Sequence, residues 1–175
     1  MPIFAATFSA LHMISYLKGE ITFKTPTFII VETGGLGYHV LISLHTYAQI
    51  EKLERVKIHT HLLIREDSHT LYGFAEESER SLFQHLISVS GVGPNTAQLL
   101  LSAMTPDEIR SAIIGENEQA FSKVKGIGPK TAKRIILDLK DKMVKSSGDA
   151  PLSLLPQDNT AREEALSALL TLGFA

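Results

Sequence analysis

One nine-residue stretch occurs twice in this chain, as Val89-Ser90-Gly91-Val92-Gly93-Pro94-Asn95-Thr96-Ala97 and as Val124-Lys125-Gly126-Ile127-Gly128-Pro129-Lys130-Thr131-Ala132. The matched positions lie 35 residues apart throughout. A repeat constrains architecture more tightly than composition does, because each copy is one supersecondary unit that needs its neighbours to bury its apolar face. An apolar helical run precedes each copy (Leu82, Phe83, Leu86, Ile87; Ala120, Phe121, Val124), and another follows it (Ala97, Leu99, Leu100, Leu101; Ala132, Ile135, Ile136, Leu139). Between the runs, two glycines allow positive φ and close backbone approach. The proline suits the first turn of the next helix, where an amide hydrogen would have no partner. Each copy therefore predicts a helix, a tight turn and a second helix.

The start of that second helix is an anion site in waiting, since its free N–H groups and the helix dipole both favour negative charge. The second copy adds charge: Lys125, Lys130, Lys133 and Arg134 stand where the first has Ser90, Asn95, Gln98 and Leu99. Positions 130, 133 and 134 share one helix face. Phosphate backbone fits such a face, and backbone contacts position a protein on DNA without reading bases. The plainer alternative is an αα-corner with solvated lysines. Duplication, with Thr-Ala and an apolar helix after both turns, argues against it.

The whole chain is not basic. Its 175 residues carry a net charge of −2, with 44% hydrophobic content, the range of an ordinary globular protein. The charge is unevenly placed, however: residues 121–145 hold eight Lys and Arg against two acids. Local charge of this kind steers DNA better than the total does. With no cysteine, disulfides and thiolate metal sites are excluded, and the composition suits a reducing cytoplasm.

Before the repeat, residues 14–74 read as strands: Ile14–Thr22, Phe28–Glu32, Tyr38–Ser43, Val56–Ile64 and Leu71–Phe74. Turn signals separate them, notably Thr33-Gly34-Gly35 and Arg65–Ser68. Five short strands with a helical piece near Tyr47–Leu53 suit a small closed barrel of the OB type, although periodicity alone does not separate this from an SH3-like barrel. His59 and His61 share a strand face, but with no cysteine or carboxylate pair beside them they are read as structural rather than metal ligands. Residues 75–143 read as helical. Glu76-Glu77-Ser78-Glu79 opens the first helix with acids placed for its dipole, and Thr105-Pro106-Asp107-Glu108 opens another as N-cap, N1 and N3. With a short helix near 117–124, the repeat region should form five helices.

The two copies resemble tandem helix-hairpin-helix motifs, and their context resembles the RuvA family. The segments Gly34-Gly35-Leu36-Gly37-Tyr38, His61-Leu62-Leu63-Ile64-Arg65-Glu66-Asp67 and Leu71-Tyr72-Gly73-Phe74 are similar to that family's N-terminal barrel. The resemblance implies an OB-fold barrel at 13–75, a tandem helix-hairpin-helix domain at 76–143, a flexible linker at 144–159 and the start of a UBA-like third domain at 160–175. Residues 1–12 precede the pattern and are expected to be a leader without assigned function. The chain stops at Ala175, so the third domain, which in the family contacts the motor, is expected to be incomplete.

What the resemblance implies for function is binding of four-way (Holliday) DNA junctions by shape, in recombination, DNA repair and the SOS response. The partners would be junction DNA, three further copies in a homotetramer or seven in an octamer on DNA, the RuvB motor ATPase and the RuvC resolvase. No cofactor or metal is expected. Phosphate would be held at Gly91, Val92, Gly93, Asn95 and Thr96 in the first hairpin. In the second it would be held at Gly126, Ile127, Gly128, Lys130 and Thr131, with Lys125, Lys133 and Arg134 adding charge. Glu66 and Asp67 have two readings: a charged hairpin tip, or, by the resemblance, an acidic pin whose carboxylates repel phosphates converging on the crossover. Catalysis is not expected. Gly128-Pro129-Lys130-Thr131 breaks the contiguous Gly-Lys-Thr of a Walker loop. A helix-hairpin-helix glycosylase would need a held aspartate beside a lysine such as Lys130, and the nearest later acid outside the helix, Asp149, lies in the linker. A DNA-binding adaptor of a repair nuclease remains the alternative that the hairpins alone allow.

Overall fold

The computed structural model describes residues 13–146, with side chains through Met143. The proposed leader, most of the linker and the UBA-like start lie outside the described residues. Five strands form a closed barrel: β1 (Tyr16–Lys24), β2 (Phe28–Thr33), β3 (Leu36–Ile42), β4 (Arg55–Ile64) and β5 (His69–Phe74). Their order is β1-β2-β3-β5-β4, and β4 closes back onto β1 with Lys18 opposite Lys57. All pairs are antiparallel except β3 with β5, where Val40 faces Leu71. The alternation of apolar residues sets the interior: Ile29 and Val31 on β2, and Val56 and Ile58 on β4, are all buried. A register shift between Ile21 and Phe23 bends β1. The helix α1 (Leu44–Ile50) lies between β3 and β4, capped by Ser43, whose Oγ accepts from the Thr46 amide. This is the OB arrangement.

Strand β5 belongs to both halves of the molecule. Leu71 enters the barrel core, whereas Tyr72 and Phe74 point outward into a second core built by the helices. Both rings lie 5.0 Å from Phe83. Phe83 sits on α2 (Glu77–Ile87), which is followed by α3 (Pro94–Ala103), α4 (Pro106–Ile114), α5 (Glu118–Ser122) and α6 (Pro129–Ser146). The five expected helices are present. Leu86, Leu100, Ile109, Phe121 and Ile135 supply the fully buried centre of this layer. Thr105 caps α4 as its spacing predicts: its hydroxyl accepts from the Glu108 amide, and the Glu108 carboxylate accepts from the Thr105 amide. The last helix continues to Ser146 instead of stopping near Met143, because Val144 and Lys145 carry no breaker.

Glu79 goes beyond its sequence reading. It lies in the first turn as expected, but it is fully buried and serves more than the helix dipole. Its carboxylate accepts from the Ser43 hydroxyl at 2.5 Å and from the Thr46 hydroxyl at 2.6 Å. Burial pushes its pKa up, and the two hydroxyl bonds partly offset that. The donors come from a distant helix cap, which no local pattern around Glu79 reveals. Its neighbour Arg80 reaches elsewhere: Nη1 donates to the Ser15 carbonyl at 2.9 Å and the Thr60 carbonyl at 3.3 Å, while Nη2 donates to Glu77 at 2.6 Å.

Candidate nucleic-acid interface

The two repeats fold to the same local geometry. In the first, the Val92 amide donates to the Val89 carbonyl at 3.0 Å, and Gly91 sits at φ 91°. In the second, the Ile127 amide donates to the Val124 carbonyl at 3.1 Å, and Gly126 sits at φ 92°. Each is a four-residue turn whose third position needs positive φ, the reason a glycine stands there. The second glycine of each pair behaves differently from expectation. Gly93 has φ −83° and is the N-cap of α3. Gly128 is likewise absent from the positive-φ residues, and a Cβ built on either meets no heavy atom within 4 Å. Neither internal strain nor packing demands glycine at these two positions. Open space beside a helix start leaves room for an external group.

The first bonds of the following helices run from the Ala97 amide to the Gly93 carbonyl and from the Ala132 amide to the Gly128 carbonyl, both 2.9 Å. Proline at the first helical position has no N–H. The amides of Gly93, Asn95 and Thr96, and of Gly128, Lys130 and Thr131, therefore donate to nothing among the described residues. These are six orphan donors in two sets of three, the arrangement that binds phosphate. Val92 and Ile127 do not join them. Their amides close the turns and their side chains are buried at 5% and 4% exposure. With those amides already bonded within the turns, Val92 and Ile127 hold the loops in shape.

Lys125, Lys130, Lys133 and Arg134 are all exposed, and none forms an ion pair among the described residues. The Arg134 guanidinium also donates to the Ser90 carbonyl at 3.4 Å, which brings the second hairpin's helix against the first hairpin's turn. Not every cation of the basic segment is available: Lys140 pairs with Glu116.

The barrel contributes the tip between β4 and β5. The Arg65 amide donates to the Ser68 carbonyl at 2.8 Å, and Glu66 and Asp67 lie exposed between them. A cleft of about 340 Å³ separates this tip from the first hairpin, with Arg65, Ser68, Gly93 and Asn95 on its walls. The base of the acidic tip and residues of one orphan-amide set are therefore neighbours across an open cleft. His59 and His61 both face α2, His59 at 3.0 Å from Glu77 and His61 against the Phe83 ring edge. Among the described residues no group of three or more His, Cys, Asp or Glu could hold a metal, and no helix is long and apolar enough to cross a membrane.

Comparison with known proteins bears on both halves. The RuvA N terminal domain matches residues 13–73, and the SAM-like helix-hairpin-helix tandem matches residues 83–141. A protein of Cytophaga hutchinsonii named Holliday junction branch migration complex subunit RuvA is 51% identical over 166 residues, spanning 93% of this chain and 83% of its own. The chain belongs to the RuvA family. Relatives of the same printed name from Christiangramia forsetii and Bacteroides fragilis are 53% and 48% identical over 162 and 170 residues, with 93% of this chain covered in each case. Within this RuvA-family chain, both hairpins fall in the tandem match and the Glu66–Asp67 tip in the N-terminal match. Sequence reasoning took Glu79 only as a first-turn acid and passed over Arg80 and Thr46. Only the placement of Ser43 immediately before an apolar helix offered a signal, as an N-cap.

Proposed function

We propose that this chain binds four-way DNA junctions by shape and presents them, open and square, to an ATP-driven branch-migration motor of the RuvB type. Each hairpin holds a phosphate on its orphan amides, those of Gly93, Asn95 and Thr96 and of Gly128, Lys130 and Thr131. Gly91 and Gly126 shape the loops, and Lys125, Lys133 and Arg134 add attraction. Glu66 and Asp67 act as the pin, repelling phosphates at the crossover so that strands separate. The working unit is a homotetramer with one subunit per quadrant, acting in the cytoplasm. Residues 13–75 and 76–143 serve as pin-bearing and phosphate-gripping domains. ATP hydrolysis belongs to the motor partner, and strand cleavage to a resolvase of the RuvC type.

The observation that supports this reading is the cleft between Arg65 and Ser68, which flank Glu66 and Asp67, and Gly93 and Asn95 of the first hairpin. An adaptor that merely coats duplex has no use for two exposed carboxylates on a loop whose base faces its phosphate site. The relatives' shared name supports the same reading. The test is a competition gel shift at fixed moderate salt, with a synthetic four-way junction against linear duplex of the same sequence and length. A junction preference of about a hundredfold or more is expected, the scale on which several phosphate contacts are gained together. Equal binding to both would make this a general helix-hairpin-helix adaptor.

A further inference from the structure

The cleft between the acidic tip and the first hairpin poses a mechanical problem. Among the described residues, no hydrogen bond or ion pair joins positions 64–69 to positions 90–96, although selectivity by shape needs the two at a fixed separation. Apolar packing of Leu41, Leu63 and Tyr72 floors the cleft, and the directional bonds that hold its two walls in register lie further off. Two adjacent residues of α2 are placed to supply those bonds, and they carry opposite charges.

Glu79 reaches the cap of α1. Every proton there has a definite place: the Ser43 oxygen already accepts from the Thr46 amide at 3.0 Å, and the Thr46 hydroxyl oxygen from the Ala75 amide at 3.2 Å. Both hydroxyl protons are therefore free to point at the Glu79 carboxylate, which has only acceptors to offer. The same cap reaches α3, because the Leu44 amide donates to Ser102 Oγ at 3.1 Å. Arg80 meanwhile ties another side of α2, about 100° round the helix, to β4 and to the residue just before β1 through the Thr60 and Ser15 carbonyls, braced by Glu77. The helix that leads into the first hairpin is thus fastened to the barrel on two sides, and the helix that leaves it on one. A buried network satisfied at every atom rigidifies what it joins, and one lost member leaves the rest unpaired.

From this geometry we infer that Glu79 and Arg80 are positioning residues. They fix the separation between the acidic tip and the first hairpin, and so set the preference for junction over duplex while touching no DNA. The inference rests on the junction-binding reading above. With the tip held near the hairpin, continuous duplex laid across that hairpin meets two carboxylates, whereas an open crossover accommodates them. Loosening the clamp lets the tip move aside, so duplex loses its penalty and junction loses its matched fit.

The test compares dissociation constants for junction and for duplex in the full chain, its Glu79→Gln variant and its Thr46→Val variant, with Thr46→Ser as the conservative control. Glutamine keeps the shape of Glu79 but turns an N–H₂ toward a hydroxyl that already accepts. Valine keeps the shape of Thr46 but removes the hydroxyl. In both variants the junction-to-duplex ratio should fall about tenfold or more, since small misplacements of a preorganised site cost on this scale, and Thr46→Ser should keep it. Duplex binding should hold or tighten by up to about threefold, because the hairpin amides remain in place while the tip's penalty is relieved. A ratio unchanged in Thr46→Val, or junction and duplex affinities falling together, would overturn the inference. Wild-type protein without a junction preference would instead overturn the underlying function. Should Glu79→Gln fail to fold, the two Thr46 variants decide the matter. The absence of native cysteine permits a direct check: spin labels at Ser68→Cys and Ser90→Cys should report a narrow distance distribution in the parent and a broadened one in Thr46→Val. An equally narrow distribution in both counts against the clamp.

Discussion

Substituting alanine at Gly128 and, separately, at Gly126 distinguishes the two purposes a glycine can serve in these hairpins. Gly126 is held at φ 92°, where any L side chain crowds its own backbone. Alanine there should cost about 1–2 kcal/mol of stability. Gly128 carries no such strain, and a methyl group on it would stand in open space with no heavy atom of the chain within 4 Å. The folding cost of Gly128→Ala should be only the poorer N-cap, about 0.5–1 kcal/mol. A phosphate seated on the Gly128, Lys130 and Thr131 amides, however, would meet that methyl directly. A hydrogen bond to a charged group contributes about 1.5–3 kcal/mol. Displacement from one amide should therefore weaken junction binding by about 10- to 150-fold, at 1.4 kcal/mol per decade. Fluorescence anisotropy with a labelled four-way junction at fixed salt gives the affinity, and urea unfolding of the same preparations gives the stability. Gly128→Ala should lose affinity out of proportion to stability. A folded Gly128→Ala protein that binds as tightly as the parent would refute the amide site and leave the lysines as the phosphate holders. Affinity losses that merely track stability in both variants would refute it equally.

Converting Glu66 to Gln and Asp67 to Asn together should leave junction affinity unchanged or raise it while duplex binding gains, as read by the same competition; marked unfolding would favour an ordinary structural turn. Lys133→Ala should make the plot of log affinity against log salt shallower by about 0.9, the contribution of one neutralised phosphate; an unchanged slope would remove Lys133 from the interface. Glu79 also gives a signed pH dependence, since its carboxyl is raised in the folded state by burial. The folded chain then holds that proton at pH values where the unfolded chain has released it. Its contribution to stability is thus full below the ordinary glutamate range and falls as pH rises through the folded pKa. Urea midpoints measured across that window should show the fall in the parent and a flatter profile in Glu79→Gln; the same slope in both would assign it to other groups.

Much of this molecule was legible because its signals are local. Gly91 and Gly126 mark turns, Pro94 and Pro129 mark helix starts, and Thr105 with Glu108 forms a capping box within four residues. The barrel strands declared themselves by alternation, to within a few residues at each end. Three features were hidden for one reason, that their partners are distant in sequence. Glu79 looks like any first-turn acid until Ser43 and Thr46 arrive beside it from across the fold. The closed amides of Val92 and Ile127 look the same in sequence as the open amides of Asn95 and Lys130, because a backbone group carries no letter of its own. The neighbourhood of the acidic tip and the first hairpin depends on β5 turning directly into α2. Proximity of that kind is set by packing rather than by spacing.

The sharing of β5 between two cores has a thermodynamic consequence. Leu71 fills the barrel while Tyr72 and Phe74 fill the helical layer from the same strand, so neither core can dissolve without stripping the other of a wall. Barrel and helices should therefore melt in one cooperative transition. Ligand that binds only the folded form stabilises whatever unfolds with its site, by mass action. An anion gripped at the hairpins would thus slow hydrogen exchange at Ile58, deep in a barrel it never touches.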